Sequence, residues 1–106
     1  MALFANRVWE TCNAPGTGVV TMLGAVLGYF TWAAKVANPS VVGYVMVDQT
    51  SGDVEVGYGT WTTVLTRNTV IDSSNGGAAV NFTGNPIQVF LTAVAGDIGN
   101  IKTVNT

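Results

Sequence analysis

The chain has 106 residues, of which 4 are basic, 6 are acidic and none is histidine. This length is typical of one domain with a core that needs neither disulfides nor metal. Charged residues make up only 9% of the chain, which excludes a surface protected by strong charge and favours a subunit of an assembly.

Short extended segments follow one another along the chain, separated by turn residues. The first expected strands cover residues 6–13, 19–23 and 29–33, with one helical turn over 33–37. The next cover residues 41–48, 53–59 and 60–65, with a polar loop at 49–52, and the last strong strand covers 87–95 after a turn at Gly84-Asn85-Pro86. With the hairpin described next, the total is about eight strands. The pattern predicts an all-β single domain, an antiparallel β-sandwich or flattened barrel.

The strongest turn signal is Asn75-Gly76, inside residues 53–82. A two-residue type I′ turn there would pair Ile71 with Val80 and Thr69 with Phe82. Ile71, Val80 and Phe82 would then share one face and enter the core. A slip of one residue would invert this prediction.

The segment between Glu10 and Lys35 is free of charge and contains a Gly24/Gly28 pair, so a membrane-spanning helix is one interpretation. Its β-branched and aromatic residues, together with Pro15 and several glycines, favour strands instead. We expect no membrane association. The four basic residues lie far apart in the sequence, so nucleic acid is not an expected partner.

No catalytic group, metal ligand set or cofactor motif emerges from the residue types. Without histidine, neither a Ser-His-Asp nor a Cys-His arrangement can form within the chain, and Cys12 is expected to be a buried apolar residue. Asp53 and Glu55 share a strand face about 6.5–7 Å apart, near glycosidase spacing, but a solvated surface is the favoured interpretation. We expect no enzyme.

Two further groups of side chains invite a binding hypothesis. Asp72, Ser74 and Asn75 offer too few carboxylates for calcium and are expected to bond their own backbone in a turn. Trp9, Trp32 and Trp61 would suit sugar stacking if exposed, but each is assigned to a strand, where packing is the commoner role.

Taken together, the residues resemble a small domain of tailed-bacteriophage virion proteins. The most specific block runs from Leu65-Thr66-Arg67 to Val80-Asn81-Phe82. The other matching pieces are Arg7-Val8 with Glu10, Gly16-Thr17-Gly18, Gly24-Ala25-Val26 with Gly28-Tyr29, Glu55-Val56-Gly57 with Gly59-Thr60, Thr69-Val70, Ser73-Ser74-Asn75-Gly76-Gly77, and Val89-Phe90 with Thr92. The chain departs from the family at Val54, where tryptophan is usual, and at Gly84-Asn85-Pro86, where a Gly-Thr-Lys turn is usual.

The resemblance implies a structural role in a virion, in the head or in a tail fibre. Because we expect residues 1–106 to be the whole module, a capsid decoration (cement) protein on the capsid surface is favoured, made in the host cytoplasm. The implied partners are the major capsid protein and copies of the chain itself, as a homotrimer. The alternative is a tail-fibre or adhesin module that attaches to the tail or binds host glycan.

The two ends of the chain, 1–6 and 96–106, are the expected contact arms. The residues that we expect to contact the partner are Leu3, Phe4, Asn6, Ile98, Ile101 and Val104.

Overall fold

Six antiparallel strands form one sheet in a computed structural model that describes residues 5–84 and 87–94. The order across the sheet is β2-β1-β6-β3-β4-β5. The elements are β1 (Trp9–Cys12), β2 (Met22–Ala25), α1 (Trp32–Lys35), β3 (Ser40–Asp48), β4 (Val54–Trp61), β5 (Leu65–Ser73) and β6 (Ile87–Leu91). The predicted all-β class is confirmed, and the sheet is not closed into a barrel.

The two faces of the sheet have different neighbours because side chains alternate along each strand. One face, here called the covered face, carries buried side chains from the central strands, including Tyr44, Met46, Ile87 and Val89. The other face, here called the open face, carries half-buried side chains. Its members include Trp9, Val45, Val47, Val56 and Phe90.

A thin second layer lies on the covered face and makes the fold sandwich-like. It consists of residues 13–21, α1 and residues 78–84, which bury Val20, Trp32, Val36, Val80 and Phe82. Isolated bridges join Gly16 to Phe82 and Val20 to Leu65. The segments expected to be strands around residues 19 and 80–82 therefore serve mainly as a cover, and the described residues form six strands rather than about eight.

The region around Trp32 also differs from the prediction. Residues 29–33 do not form a strand. Phe30 makes one bridge to Val8, and α1 begins at Trp32 with Thr31 as its N-cap. The Thr31 hydroxyl accepts a bond from the Ala34 amide at 3.2 Å, which stabilises the first turn. The predicted helical turn at 33–37 is thus present one residue earlier.

Two of the three core residues predicted from the hairpin are buried, but the predicted pairing is wrong, because Phe82 bridges Gly16 and Thr69 pairs with Tyr58 on β4. Val80 and Phe82 are buried, but Ile71 is 47% exposed. The turn is centred on Gly76-Gly77, which have φ of 64° and 87°, so it lies one residue later than predicted. Ile71 has no partner in the ladder between β4 and β5, where the register shifts. This bulge and the departure of residues 78–84 onto the covered face leave Ile71 outside the core.

Other local predictions have mixed outcomes. The separate strand expected at 60–65 is wrong, because β4 continues past a register shift at Gly59 to Trp61, residues 62–64 form the bend that follows, and β5 begins at Leu65. The turn at Gly84-Asn85-Pro86 and the end of the 87–95 strand include residues outside the described ranges, and β6 ends at Leu91. Among residues 5–84 and 87–94, no helix is long and apolar enough to cross a membrane.

Candidate functional site

A buried ion pair between Glu55 on β4 and Arg67 on the edge strand β5 lies on the covered face. The side chains of Arg67 and Glu55 are only 3% and 0% exposed. Arg67 contacts both carboxylate oxygens, with Nε donating to Oε2 at 2.8 Å and Nη2 to Oε1. This two-point contact fixes the relative position of the planar groups.

The same pair holds the second layer onto the sheet. Arg67 donates to the carbonyls of Gly16 at 2.9 Å, Gly18 at 3.3 Å and Val80 at 2.8 Å. Glu55 Oε1 accepts the amide of Val80 at 2.8 Å. One ion pair therefore connects β4 and β5 to two covering segments that lie far away in the sequence.

Tyr44 on β3 completes the network by donating its hydroxyl to Glu55 Oε2 at 2.6 Å. Burial, with the bond to Glu55, raises the pKa of Tyr44 well above its ordinary value. Burial alone would raise the pKa of Glu55, but bonds from Arg67, Tyr44 and the Val80 amide outweigh it and hold that pKa below its ordinary value. Burial by itself would lower the pKa of Arg67, but the hydrogen bond to Glu55 outweighs burial and raises that pKa above its ordinary value. The cluster therefore remains charged near neutral pH.

Two glycines of β4 make room for this cluster. A Cβ at Gly57 would overlap the Thr69 carbonyl and stand 2.9 Å from the Tyr44 hydroxyl, while a Cβ at Gly59 would stand 2.8 Å from a Leu65 methyl. Both positions face the covered side, opposite to what their alternation with Val54, Val56 and Tyr58 would indicate. The glycines serve close packing.

A second network surrounds Glu10 on β1. Its carboxylate is buried and accepts the amide of Trp32 at 2.6 Å and the amide of Gly24 at 3.1 Å. Nearby, exposed Arg7 donates twice to the Gly28 carbonyl, at 3.0 and 2.9 Å, and its guanidinium lies 4.4 Å from the Tyr29 ring centre. Glu10 and Arg7 thus hold the segment from β2 to α1 against β1.

The predicted solvent-exposed pair Asp53 and Glu55 is not a pair. Glu55 is fully buried, so that part of the prediction is wrong. Asp53 precedes β4 and accepts the hydroxyls of Ser51 at 3.0 Å and Ser74 at 3.1 Å. The two carboxylates have separate partners and do not face each other across a cleft.

In the polar turn after β5, Asp72 and Asn75 bond the backbone of their own turn, as predicted, but the Ser74 hydroxyl does not. Asp72 accepts the Ser73 amide at 2.8 Å, and Asn75 donates its side-chain amide to the Ala79 carbonyl at 3.0 Å. Ser74 contacts Asp53 and the Val54 amide. The described residues contain no group of three or more potential metal-ligating side chains.

Cys12 is buried, as predicted, on the covered face of β1. Burial raises the pKa of its thiol to about 12, so the nucleophilic thiolate is scarce at neutral pH.

The three tryptophans have different positions. Trp32 and Trp61 belong to the core, with ring centres 5.5 Å apart, so neither is available as a sugar platform. Trp9 is half-buried on the open face, packed against Tyr29 at 4.8 Å and Phe90 at 4.6 Å. Of the three candidates, only Trp9 reaches the surface.

The predicted contact residues lie mostly outside the described ranges. Asn6 is described and exposed. Those outside are Leu3, Phe4, Ile98, Ile101 and Val104.

An apolar patch, defined here as three exposed side chains close together in the sequence around β2, was absent from the predictions. It consists of Leu23, Leu27 and Phe30, which are 66%, 97% and 45% exposed. Leu27 is at the tip of a turn closed by the Tyr29 amide on the Val26 carbonyl at 2.9 Å. In the sequence, the apolar residues that precede Gly28 were the signal for this patch.

The described surface has two notable depressions, and neither gathers reactive groups. One, of about 290 Å³, is lined by Ala5, Leu91, Thr92 and Ala93. The other, of about 160 Å³, is lined by Val54, Val56, Asp72, Ser73 and Ser74. The second holds a single carboxylate, which cannot supply the paired acid and base of glycoside hydrolysis.

Sequence reasoning missed the Glu55–Arg67–Tyr44 network, although a signal existed. In a chain with so few charges, a glutamate inside one strand and an arginine inside the next are candidates for a buried pair. Glu10, Gly16, Gly18, Glu55 and Arg67 bond to one another or to the segments they hold. Comparison of the chain with family models, curated proteins and solved structures finds no match.

Proposed function

We propose that this protein is a structural component of a tailed-phage virion, and specifically a capsid decoration (cement) protein. The resemblance of its motifs to virion domains supports this role. The observation that carries the proposal is the use of the buried ionisable groups. Glu10, Glu55 and Arg67 bind main-chain groups or one another and stabilise the fold. The surface that this stable fold presents is low in charge and partly apolar, which suits a protein that binds other proteins.

The mechanism is mechanical. Copies of the domain bridge neighbouring subunits of the major capsid protein and contact one another as a trimer, and many modest interfaces together resist internal pressure. The patch Leu23, Leu27 and Phe30 is the surface of the described residues best suited to enter an apolar pocket on a capsid subunit. The N-terminal residues Leu3, Phe4 and Asn6 remain predicted contacts with the capsid.

Cryo-electron microscopy of virions tests the proposal directly. Many copies distributed over the capsid shell would support decoration. A few copies at the tail would support the alternative, a tail-fibre or adhesin module. Glycan binding by such a module would depend on Trp9, because Trp32 and Trp61 are buried. Absence from purified virions would contradict both.

A binding assay tests the proposed contact patch. Purified protein is mixed with capsids that lack it, and the bound fraction is measured after sedimentation. Leu27→Asp should weaken binding at least about 10-fold, since a charge would be buried in an apolar pocket. Gln49→Asp, which adds the same charge at the exposed turn that follows β3, is the matched control and should bind normally. Equal binding of both variants would exclude the patch.

A further inference from the structure

The open face is an apolar surface that the described second layer leaves uncovered. Trp9, Phe90, Val45 and Val56 lie side by side on four adjacent strands, as the registers Trp9–Phe90, Val45–Phe90 and Val45–Val56 require. Among residues 5–84 and 87–94, α1 and the buried residues of the two covering segments all pack on the opposite face. A contiguous apolar face of this kind is typical of a docking surface.

The path of the chain after β6 leads onto this face. The Thr92 amide donates to the Gly43 carbonyl at 3.0 Å, which extends the pairing of β6 with β3 by one residue. Gly43 alternates with Val45 and therefore points to the open side. A Cβ at Gly43 would overlap the Thr92 carbonyl and stand 3.0 Å from a Val94 methyl. Val94, which is buried, thus lies over the open face at Gly43.

The residues that follow Val94 have the reach and composition to continue across the face. A chain of 12 residues, the length of 95–106, can reach at most about 40 Å at roughly 3.3 Å per residue, whereas six strands spaced about 4.8 Å apart span roughly 24 Å between the outermost axes. The segment carries one acidic and one basic residue, Asp97 and Lys102, and three large apolar ones, Ile98, Ile101 and Val104. The segment is nearly neutral and contains several apolar side chains, so it is suited to pack against an apolar face.

We propose that residues 96–106 dock on the open face of their own chain and cover part of the apolar surface formed by Trp9, Val45, Val56 and Phe90. Gly43 is the position that lets the chain cross from the edge of the β3–β6 ladder onto that face. This inference does not depend on the proposed function. It gives the C-terminal segment an intramolecular role, whereas the sequence predicted a partner contact.

Methyl-labelled NMR tests the contact without any substitution. Nuclear Overhauser cross-peaks are expected between the methyls of Ile98, Ile101 or Val104 and those of open-face Val45 or Val56. Val42, on the covered face, is the internal control and should show none. A mixed sample of labelled and unlabelled protein separates contacts within a chain from contacts between copies. Cross-peaks found only between copies, or none to the open face, would overturn the proposal.

Thermal unfolding of a paired set of variants provides a second readout. The double variant Ile98→Asp/Ile101→Asp should lower the melting temperature by at least about 4 °C, because charged side chains cannot replace the buried methyls. The control Asn100→Asp/Thr103→Asp adds the same charge to the same segment without removing an apolar group. Equal melting temperatures for the two double variants would contradict docking through these isoleucines.

Discussion

Replacing Arg67 by methionine should be one of the most destabilising single changes in the chain. The variant keeps a similar volume but leaves Glu55 fully buried without its cation. It also removes the donors to the carbonyls of Gly16, Gly18 and Val80. Breaking a buried pair by removing one partner costs about 3–5 kcal/mol. Glu55 keeps the bonds from Tyr44 and the Val80 amide, so we expect about 3 kcal/mol at the carboxylate and about 1 kcal/mol from the lost carbonyl bonds.

Urea unfolding followed by tryptophan fluorescence measures this loss, with the core residues Trp32 and Trp61 as reporters. Arg7→Met is the matched control, because exposed Arg7 also donates twice to a carbonyl, that of Gly28. Its cost should be about 1 kcal/mol or less. Both variants should keep the same denaturant slope if they unfold in two states.

A double-mutant cycle with Glu55→Gln isolates the ion pair. In the native background this change removes the charge that Arg67 needs and should destabilise the protein. In the Arg67→Met background it removes an uncompensated buried charge and should cost less or even stabilise. A cost below about 1 kcal/mol for Arg67→Met, or equal costs of Glu55→Gln in both backgrounds, would refute the reasoning.

The remaining predictions concern pH, packing and the thiol. Because the folded-state pKa of Glu55 lies below its ordinary value of 4.5, the stabilisation from its charge is complete above that value and is lost as the pH falls through the folded-state pKa. Unfolding free energy measured from pH 6 to pH 2 should therefore fall less steeply in Glu55→Gln than in the native protein; parallel curves would contradict this. Gly57→Ala should cost about 1–3 kcal/mol by urea unfolding, since the Thr69 backbone of β5 and the Tyr44 side chain must both move. At Gly76 a Cβ would meet no other atom, so Gly76→Ala should cost only about 1 kcal/mol, for the positive φ of the backbone. A loss of stability larger at Gly76 than at Gly57 would contradict this account. The native Cys12 thiol should react with a disulfide reagent at pH 8 at least about 100-fold more slowly than the urea-unfolded thiol, and similar rates would show that burial does not control it.

The strand pattern of the central sheet could be predicted from local sequence. The apolar segment 41–48 and the alternation after Asp53 correspond to β3 and β4, and the polar loop 49–52 joins them. These features depend on side-chain alternation and turn chemistry, which act between residues close in sequence. Burial of Cys12 followed from its apolar character, whereas Val80 and Phe82 are buried without the hairpin pairing from which their burial was predicted.

The sequence by itself determined which residues of β4 share a face, but only the tertiary structure decided which face is covered. Glu55, Gly57 and Gly59 alternate with Val54, Val56 and Tyr58, and the apolar set would ordinarily be placed inward. The structure covers the other set, because residues 13–21 and 78–84 cross that side and need the charged groups of Glu55 and Arg67 to bind their main chain. A buried carboxylate is stable only with its cation and donors in place. Those partners come from distant segments, so the inward position of Glu55 depends on contacts that only the folded chain provides.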